Sequence, residues 1–326
     1  MTKLSVIVAC YNMQEFLPDT LRALARNVGD DREFILVNDH SRDATGEMLD
    51  QAAARIPGVR VIHHETNRGI SQVRNTGIDA ARGRWLTFLD GDDWYAPGYL
   101  TQLLAAVESF DCDFVRTDHV QVTGTSRTLE RAPAPRRNTL MDPRDGILPA
   151  QRKSMVDYPN VWSMVCRRNV FDDLGVRFVP NLRTCEDRVF TWQLHLRARS
   201  YVSTGLHGLF YRRGISTSLT QVGDERQLDF IPAHDLIMEE VLAHPEADRF
   251  LPKIVRTYCA MIAFHIGKAD RHQSDVARRL RQMSTEALHR MPQELLDRTI
   301  NEMGPERGRV LRRLLGRTTT RKVTAA

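Results

Sequence analysis

The first 110 residues alternate short apolar runs with amphipathic stretches, and this alternation constrains the fold more than any other feature. The apolar runs occupy residues 4–9, 33–37, 59–63 and 84–89, and the helical stretches lie near 14–27, 43–55, 70–82 and 97–109. Strands that alternate with helices predict an α/β fold whose mostly parallel sheet is flanked by helices. All four runs are almost continuously apolar, so we expect both faces of every strand to be covered.

The rest of the 326-residue chain changes pattern twice. Residues 123–150 are rich in Pro, Arg and Thr, and they predict a long loop or a hairpin insertion. We expect a short helix near 167–174, a helix at 185–198 and a strand at 206–213. From 225 to about 315, apolar residues recur at three- and four-residue spacing, which predicts a C-terminal helical region.

Composition narrows the class of protein. Hydrophobic residues make up 42% of the chain, and no apolar stretch approaches the roughly 18 residues of a membrane span. The N-terminus shows no signal-peptide cleavage pattern, so we expect a cytoplasmic protein. The five cysteines are widely spaced and never form C-x-x-C, which argues against a disulfide framework and against a zinc site.

The net charge of +5 is most concentrated near the C-terminus. The basic residues there are Arg307, Arg309, Arg312, Arg313, Arg317, Arg321 and Lys322. Such a tail is usually a solvated end, and the alternative is peripheral contact with the anionic inner face of the plasma membrane or with a polyanionic acceptor. A nucleic-acid partner is disfavoured, because the sequence contains no recognisable recognition helix or aromatic stacking platform.

The apolar run at 84–89 ends in a cluster of carboxylates. Asp90 and Asp92 are separated by Gly91, whose small size lets the backbone turn tightly. Ligands collect at the carboxyl ends of parallel strands, and carboxylate oxygens suit Mg²⁺ or Mn²⁺. We therefore expect a divalent cation that carries a diphosphate. The alternative is an ordinary turn and helix cap before Pro97.

Other segments carry groups that could complete a site. Asp39 ends the second strand and could accept hydrogen bonds from a nucleobase or ribose, although an ordinary turn also explains it. Arg74 should lie on a helix that faces the strand ends, where a guanidinium can neutralise phosphate or can simply be solvated. Glu186 and Asp187 lie at the start of a predicted helix. One of them could be a general base, or both could simply complement the helix dipole.

The segment LFYRRGISTSLT contains Arg212, Arg213 and Ser216. It predicts a loop that closes on a phosphate, or a plain exposed turn. The first strand leads into ACYNMQEF and not into G-x-G-x-x-G, so a nicotinamide-dependent enzyme is disfavoured. A sugar-phosphate nucleotidyltransferase is disfavoured as well, because its glycine-rich, basic N-terminal loop is missing.

Taken in order, these segments resemble the family-2 glycosyltransferases of GT-A (Rossmann-like) fold over roughly residues 3–220. SVIVACYN resembles the opening strand, and ILVNDHSRDAT resembles the stretch usually written V-D-D-G-S-x-D-x-T. NRGISQVRNTGIDAARGRWLTFLDGDD resembles the longest block of the family with its D-x-D, CEDRVF resembles E-D-x-x-F, and FYRRGISTS resembles the pyrophosphate-facing loop. Asn38 replaces the first of the usual paired aspartates, and His40 stands where glycine is usual.

The resemblance implies a role for each matching residue. Asp39 would hold the uracil of a UDP-sugar, and the nucleotide pocket would be lined by Ala9, Tyr11, Asn12, Asn67 and Arg74. Asp90 and Asp92 would hold Mn²⁺ or Mg²⁺ and the sugar diphosphate, with Asp92 as the direct metal ligand. Asp187 would be the catalytic base, Glu186 would contact the acceptor or the sugar, and Arg212, Arg213 and Ser216 would clamp the diphosphate.

The same resemblance implies the reaction and the domain organisation. A hexose or an N-acetylhexosamine would pass with inversion to a hydroxyl of a cell-surface glycan, teichoic-acid or lipid-linked precursor. Residues 1–222 would form the catalytic domain, with a nucleotide-sugar-binding half at 1–118 and an acceptor half at 119–222, and 223–326 would form a helical region that holds the acceptor or mediates homo-oligomerisation. The alternatives are a non-catalytic sugar-nucleotide-binding member and a polyanion-binding or nucleic-acid-binding protein.

Overall fold

The computed structural model describes residues 2–214 and 224–316. These residues form two compact units: 2–147 with 154–214, and 148–153 with 224–316. The strands within the described residues are β1 (Leu4–Cys10), β2 (Arg32–Asn38), β3 (Val59–His63), β4 (Trp85–Asp90), β5 (Trp94–Tyr95), β6 (Phe114–Arg116), β7 (His119–Thr123), β8 (Ser126–Glu130), β9 (Met164–Arg167), β10 (Tyr201–Ser203) and β11 (Leu209–Arg213).

The helices of the first unit flank and connect these strands. They are α1 (Leu17–Ala25), α2 (Thr45–Arg55), α3 (Gly69–Ala80), α4 (Tyr99–Ser109), α5 (Asn169–Asp172) and α6 (Glu186–Arg197). The second unit contains α7 (Phe230–Ala243), α8 (Ala247–Ile266), α9 (Ser274–Arg290), α10 (Gln293–Glu302) and α11 (Pro305–Leu314). Among the described residues, no helix is both long and apolar enough to cross a bilayer.

The central sheet has the strand order β10-β6-β9-β4-β1-β2-β3. β9 runs antiparallel to β4 and β6, and the other neighbours run parallel. Every residue of β1 and β2 is buried, as expected of strands covered on both faces. The predicted mostly parallel sheet flanked by helices is confirmed. The expectation of full burial is wrong for β3, because it is the edge strand and is only half-buried.

A smaller sheet, of order β5-β11-β7-β8, lies in the same unit. β7 and β8 form an antiparallel hairpin, and β8 falls in the segment for which the sequence predicted a loop or a hairpin. The sequence missed β5, β6, β9 and β10, which are two to four residues long. Strands this short show too few alternations to reveal a period of two, so pairing partners decide them.

The second unit is helical, as predicted for 225–315. Tyr258 of α8 is buried, and its hydroxyl contacts the carbonyl oxygen of Ile231 at 3.1 Å and Asp235 at 3.0 Å. Lys253, also in α8, donates to the carbonyl oxygen of Arg152 at 2.8 Å. This bond ties the segment 148–153 to the helices of the second unit.

Candidate active site

The carboxyl ends of β1, β2 and β4 lie side by side. Ala9 of β1 is in register with Asp90 of β4, and Cys10 is in register with Asn38 of β2. The residues that follow these strands therefore meet at one edge of the sheet, where open α/β sheets bind ligands. This register alone brings together residues that are 28 and 81 positions apart in the sequence.

The turn after β4 presents two carboxylates. Gly91 donates its backbone N–H to the carbonyl oxygen of Ala9 at 3.0 Å. A Cβ at this position would lie 2.9 Å from that same oxygen, so any larger residue would push the turn off β1. The glycine between Asp90 and Asp92 is thus required by the close approach of two backbones.

The carboxylate of Asp92 is harder to ionise than an exposed aspartate because it is buried close to Asp90. Burial, together with the charge of Asp90, raises the pKa of Asp92 to about 6. A bound cation would relieve the effect of Asp90 on the ionisation of Asp92, and the hard oxygens of carboxylates suit Mn²⁺ or Mg²⁺. Asp90 and Asp92 therefore fit a divalent ion held partly by substrate phosphates. Within residues 2–214 and 224–316, no cluster of three or more His, Cys, Asp or Glu side chains forms a metal site from protein ligands alone.

Arg74 of α3 connects two groups of acids. Its Nη2 donates to Asp90 Oδ1 at 2.9 Å, and its Nη1 donates to Glu186 Oε1 at 2.7 Å. Arg74 is only 4% exposed. Burial lowers its pKa, but the charges of Asp90 and Glu186 outweigh this and raise it above its ordinary value. One guanidinium thus joins the turn after β4 to the start of α6 through two charge-assisted hydrogen bonds.

The two acids at the start of α6 differ in their contacts. Burial, and then the charge of Asp187, raises the pKa of Glu186 to about 7, although Arg74 opposes this shift. Burial also raises the pKa of Asp187, against the opposing charges of Arg188 and Arg74. The carboxylate of Glu186 is engaged by Arg74, whereas that of Asp187 makes no ion pair with any described residue. Asp187 is therefore the acid with more freedom to meet a substrate.

Asp39 is buried at the end of β2 and anchors the next loop. It is 2% exposed, and its carboxylate accepts the backbone N–H groups of Arg68 and Gly69, both at 2.8 Å. His64 Nδ1 lies 2.7 Å from Asp39 Oδ1, and Thr76 holds the other ring nitrogen at 3.0 Å. Asp39 therefore caps the start of α3, and a carboxylate that accepts these groups retains about one lone pair for a further N–H.

The remaining residues predicted for the nucleotide pocket lie around Asp39. Ala9 is buried in β1, and Tyr11 is 42% exposed just beyond it. Asn12 adopts a positive φ of 53° and receives the backbone N–H of Arg42 on its side-chain oxygen at 2.9 Å. Asn67 is exposed, and its amide donates to the carbonyl oxygen of Asp39 at 3.2 Å. The edge of the sheet thus brings all four to the neighbourhood predicted from the sequence.

The three residues predicted to clamp the diphosphate do not share one environment. Arg212 and Arg213 lie at the end of β11. The guanidinium of Arg212 is occupied by an ion pair with Asp19 at 3.0 Å, whereas Arg213 is exposed and contacts the hydroxyl of Tyr211 at 3.4 Å. Ser216 lies outside the described residues, so its predicted role stays a prediction.

Sequence reasoning missed several residues of this edge. Asp93 is fully buried and accepts the backbone N–H of Arg212 at 2.8 Å, and burial holds its pKa well above the usual range. Phe178 lies against the guanidinium of Arg74, with the ring centroid 5.1 Å away. The signal for Asp93 was present, since it directly follows Asp92. Nothing local marks Phe178, because its contact depends on the packing of distant segments.

Comparison with known proteins gives a family model and several relatives. Residues 5–175 match the family model described as Glycosyl transferase family 2. The chain is 31% identical over 227 residues to Bacillus subtilis EpsJ, described as an uncharacterized glycosyltransferase, covering 69% of this chain and 65% of that protein. It is 25% identical over 250 residues to Staphylococcus aureus TarS, a poly(ribitol-phosphate) beta-N-acetylglucosaminyltransferase, covering 74% of this chain and 41% of TarS. These matches thus span less than two thirds of either relative.

Solved structures give a longer match. The crystal structure of S. aureus TarS 1–349 in complex with UDP-GlcNAc superposes with a TM-score of 0.74 at 18% identity, covering 98% of this chain and 93% of that one. At this level of identity the likeness shows the fold. It confirms the GT-A fold expected from the sequence, including the helical C-terminal region.

Proposed function

The chain belongs to the family-2 glycosyltransferases, and from this premise we propose that it transfers a sugar from a nucleotide donor to a hydroxyl group with inversion. The donor that the site supports best is a UDP-sugar bound with Mn²⁺ or Mg²⁺. The acceptor we propose is a cell-surface glycan or polymer precursor, and the transferred group a hexose or an N-acetylhexosamine. The relatives EpsJ and TarS are named as glycosyltransferases, which supports this class of reaction.

The observation that carries the proposal is the double ion pair of Arg74. It holds Asp90, a candidate ligand of the donor's metal, and Glu186, the neighbour of the candidate base, at 2.9 Å and 2.7 Å from the same guanidinium. A displacement at the anomeric carbon requires the leaving diphosphate and the incoming hydroxyl to lie on opposite sides of one sugar ring. A buried arginine between the two acids is a means of fixing that separation.

Asp187 is the group we assign as base. A base is most effective when its pKa approaches the working pH, and burial shifts the pKa of Asp187 in this direction. Its carboxylate would take the proton of the acceptor hydroxyl as the oxygen attacks the anomeric carbon. The bond from that carbon to the diphosphate breaks in the same step, so no covalent intermediate with the protein is needed.

The departing diphosphate gathers negative charge, and this edge offers ways to stabilise it. Asp90 and Asp92 would hold a divalent ion, which supplies Lewis-acid stabilisation of the leaving group when bound. Arg213 is exposed at the end of β11 and is available to a phosphate. Asp39 accepts hydrogen bonds only, so it would bind the N3–H of uracil and would repel the unprotonated N3 of cytosine. This is the support for UDP over CDP.

The positive charge near the C-terminus supports an anionic acceptor or an anionic membrane surface as partner. The exposed arginines Arg307, Arg309 and Arg313 lie on α11, and residues 317–326 of the basic tail lie outside the described residues. We propose that this basic region contacts an anionic polymer acceptor or the anionic inner face of the membrane, which places the enzyme in the cytoplasm. Residues 1–222 remain the proposed catalytic domain, and 223–326 the proposed acceptor-binding or oligomerisation region.

A thermal-shift screen tests the donor and the metal together. UDP-, GDP-, dTDP- and CDP-sugars are added with and without Mn²⁺, and we expect the largest rise in melting temperature with a UDP-sugar plus Mn²⁺. A ligand at about 100 times its Kd stabilises the folded state by about 2.7 kcal/mol, which is readily detected. In Asp92→Ala, the rise caused by Mn²⁺ should disappear. Absence of any shift with all four donors would reject the proposal.

Metal binding should also depend on pH. The pKa of Asp92 is raised to about 6, so its carboxylate is protonated below that pH and can no longer ligate an ion. We expect Mn²⁺ affinity, measured by titration calorimetry, to be constant above about pH 7 and to fall about tenfold per pH unit below 6. An affinity that stays unchanged down to pH 4.5 would contradict the assignment of Asp92 as a ligand. Asp92→Asn serves as control and should lose the pH dependence.

A further inference from the structure

Arg212 and Arg213 are consecutive residues of β11, so their side chains leave opposite faces of the smaller sheet. The guanidinium of Arg212 lies over the ring of Trp94, 4.6 Å from its centroid. That of Arg213 lies on the other face, over Tyr211 at 5.7 Å. One diphosphate cannot meet both faces of one strand. The two arginines must therefore have different tasks.

The guanidinium of Arg212 is held from several directions. Besides Trp94, the ring of Phe16 lies 5.1 Å from its Cζ atom, and Asp19 accepts its Nη2 at 3.0 Å. Its side chain is 22% exposed. An arginine that lies against two rings and is ion-paired has little freedom to swing onto a phosphate, because that movement would break all three contacts.

What Arg212 does hold is the turn that carries the candidate metal ligands. Its Nε donates to the carbonyl oxygen of Asp92 at 3.0 Å, and its backbone N–H donates to Asp93 Oδ1 at 2.8 Å. The turn has a second partner, because the hydroxyl of Thr20 lies 2.9 Å and 2.8 Å from the carbonyl oxygens of Gly91 and Asp93. Thr20 has one hydroxyl proton, so the carbonyl groups of Gly91 and Asp93 share it. The carbonyl group of Asp92, which lies between them in the chain, depends on Arg212.

We propose that Arg212 is a positioning residue that fixes the turn 90–93 so that Asp90 and Asp92 are preorganised for a divalent cation. Arg213, on the opposite face, is the arginine that meets the diphosphate directly. Metal ligands must be held to within about half an ångström for a cation such as Mg²⁺, which demands near-ideal geometry. The identity of the ligand rests on the proposed function. The two hydrogen bonds from Arg212 to Asp92 and Asp93, which we call the clasp, do not depend on it.

Hydrogen exchange on the ligand-free protein tests the clasp by itself. Arg212→Met keeps a flexible apolar side chain over Trp94 but loses the bond to the Asp92 carbonyl group. We expect the amides of residues 91–94 to exchange about tenfold faster in this variant, the effect of losing one hydrogen bond to a charged group. Arg127→Met is the matched control, since Arg127 lies over Phe210 of the same sheet and makes no contact with the turn. Unchanged exchange in Arg212→Met would overturn the proposal.

Binding measurements then separate the two arginines. In Arg212→Met, the affinity for Mn²⁺ without nucleotide, measured by electron paramagnetic resonance, should fall about tenfold, while UMP binding without metal is unchanged. In Arg213→Met, Mn²⁺ affinity should be unchanged while UDP binding with Mn²⁺ weakens. The positioning role would be overturned if Arg213→Met lowered the Mn²⁺ affinity and Arg212→Met did not. A lower melting temperature of Arg212→Met with normal Mn²⁺ affinity would also overturn it. If the wild-type protein binds no nucleotide, the proposed function fails, and the exchange rates still decide the clasp.

Discussion

Asp187→Asn is expected to lower the rate of sugar transfer by about 10²- to 10⁴-fold while leaving the donor bound, which is the range that general-base catalysis contributes. Asparagine has the same shape but cannot accept the proton of the acceptor hydroxyl. The change also removes a negative charge beside Glu186, which is one of the causes of the raised pKa of that residue. Initial rates with a saturating donor and calorimetric titration with UDP measure the two effects separately.

The fold should survive this substitution. Without the charge of Asp187, the pKa of Glu186 falls and its ion pair with Arg74 at 2.7 Å becomes stronger, so the melting temperature should stay the same or rise. In the wild-type protein, the rate should drop at acidic pH as Asp187 becomes protonated, and this acid limb should lie above the usual range of an aspartate because burial raises its pKa. Full transfer by the Asn variant would refute the assignment of the base. An acid limb of the wild-type rate that lies within the usual range of an aspartate would refute it as well.

How much of this site the sequence could predict depends on the kind of contact. The carboxyl ends of β1, β2 and β4 were placed together by the strand-helix alternation, and the register confirms that Ala9, Asn38 and Asp90 lie at one edge. The contact between Arg74 and Glu186 spans 112 positions and crosses from α3 to α6. No local pattern specifies such a pair, because it depends on how two helices pack on the sheet.

The structure shows the physical setting of the two positions at which the chain departs from the family pattern. His40 has φ of 60°, the left-handed region that favours glycine, which explains the residue usual at that position. Asn38 donates its amide to His63 at 3.0 Å and accepts the backbone N–H of Ser41 at 3.1 Å. An aspartate could only accept, so asparagine joins two neighbours here and keeps a further charge away from Asp39.

Arg74→Met is expected to lower the free energy of unfolding of the first unit by about 3 kcal/mol at pH 8, since removing one partner of a buried ion pair leaves an uncompensated charge. The value lies at the low end of the range for such pairs because the side chain of Asp90 is 28% exposed and water can screen it. Urea denaturation followed by tryptophan fluorescence reports this unit selectively, because all four tryptophans, Trp85, Trp94, Trp162 and Trp192, lie in it.

The pH dependence and a double variant identify the cause of this loss. With Arg74 removed, Glu186 can escape the penalty by taking up a proton, so the deficit should shrink between pH 8 and pH 5. Arg74→Met combined with Glu186→Gln should recover part of the stability at pH 8, because the glutamine leaves no charge behind. Arg177→Met is the control: its guanidinium stacks on Phe171 with the ring centroid 5.7 Å away, and its nearest acid, Asp79, is 3.7 Å away and exposed. If the Arg74 and Arg177 variants lose the same stability with no pH dependence, the two ion pairs of Arg74 do not hold the edge of the sheet together.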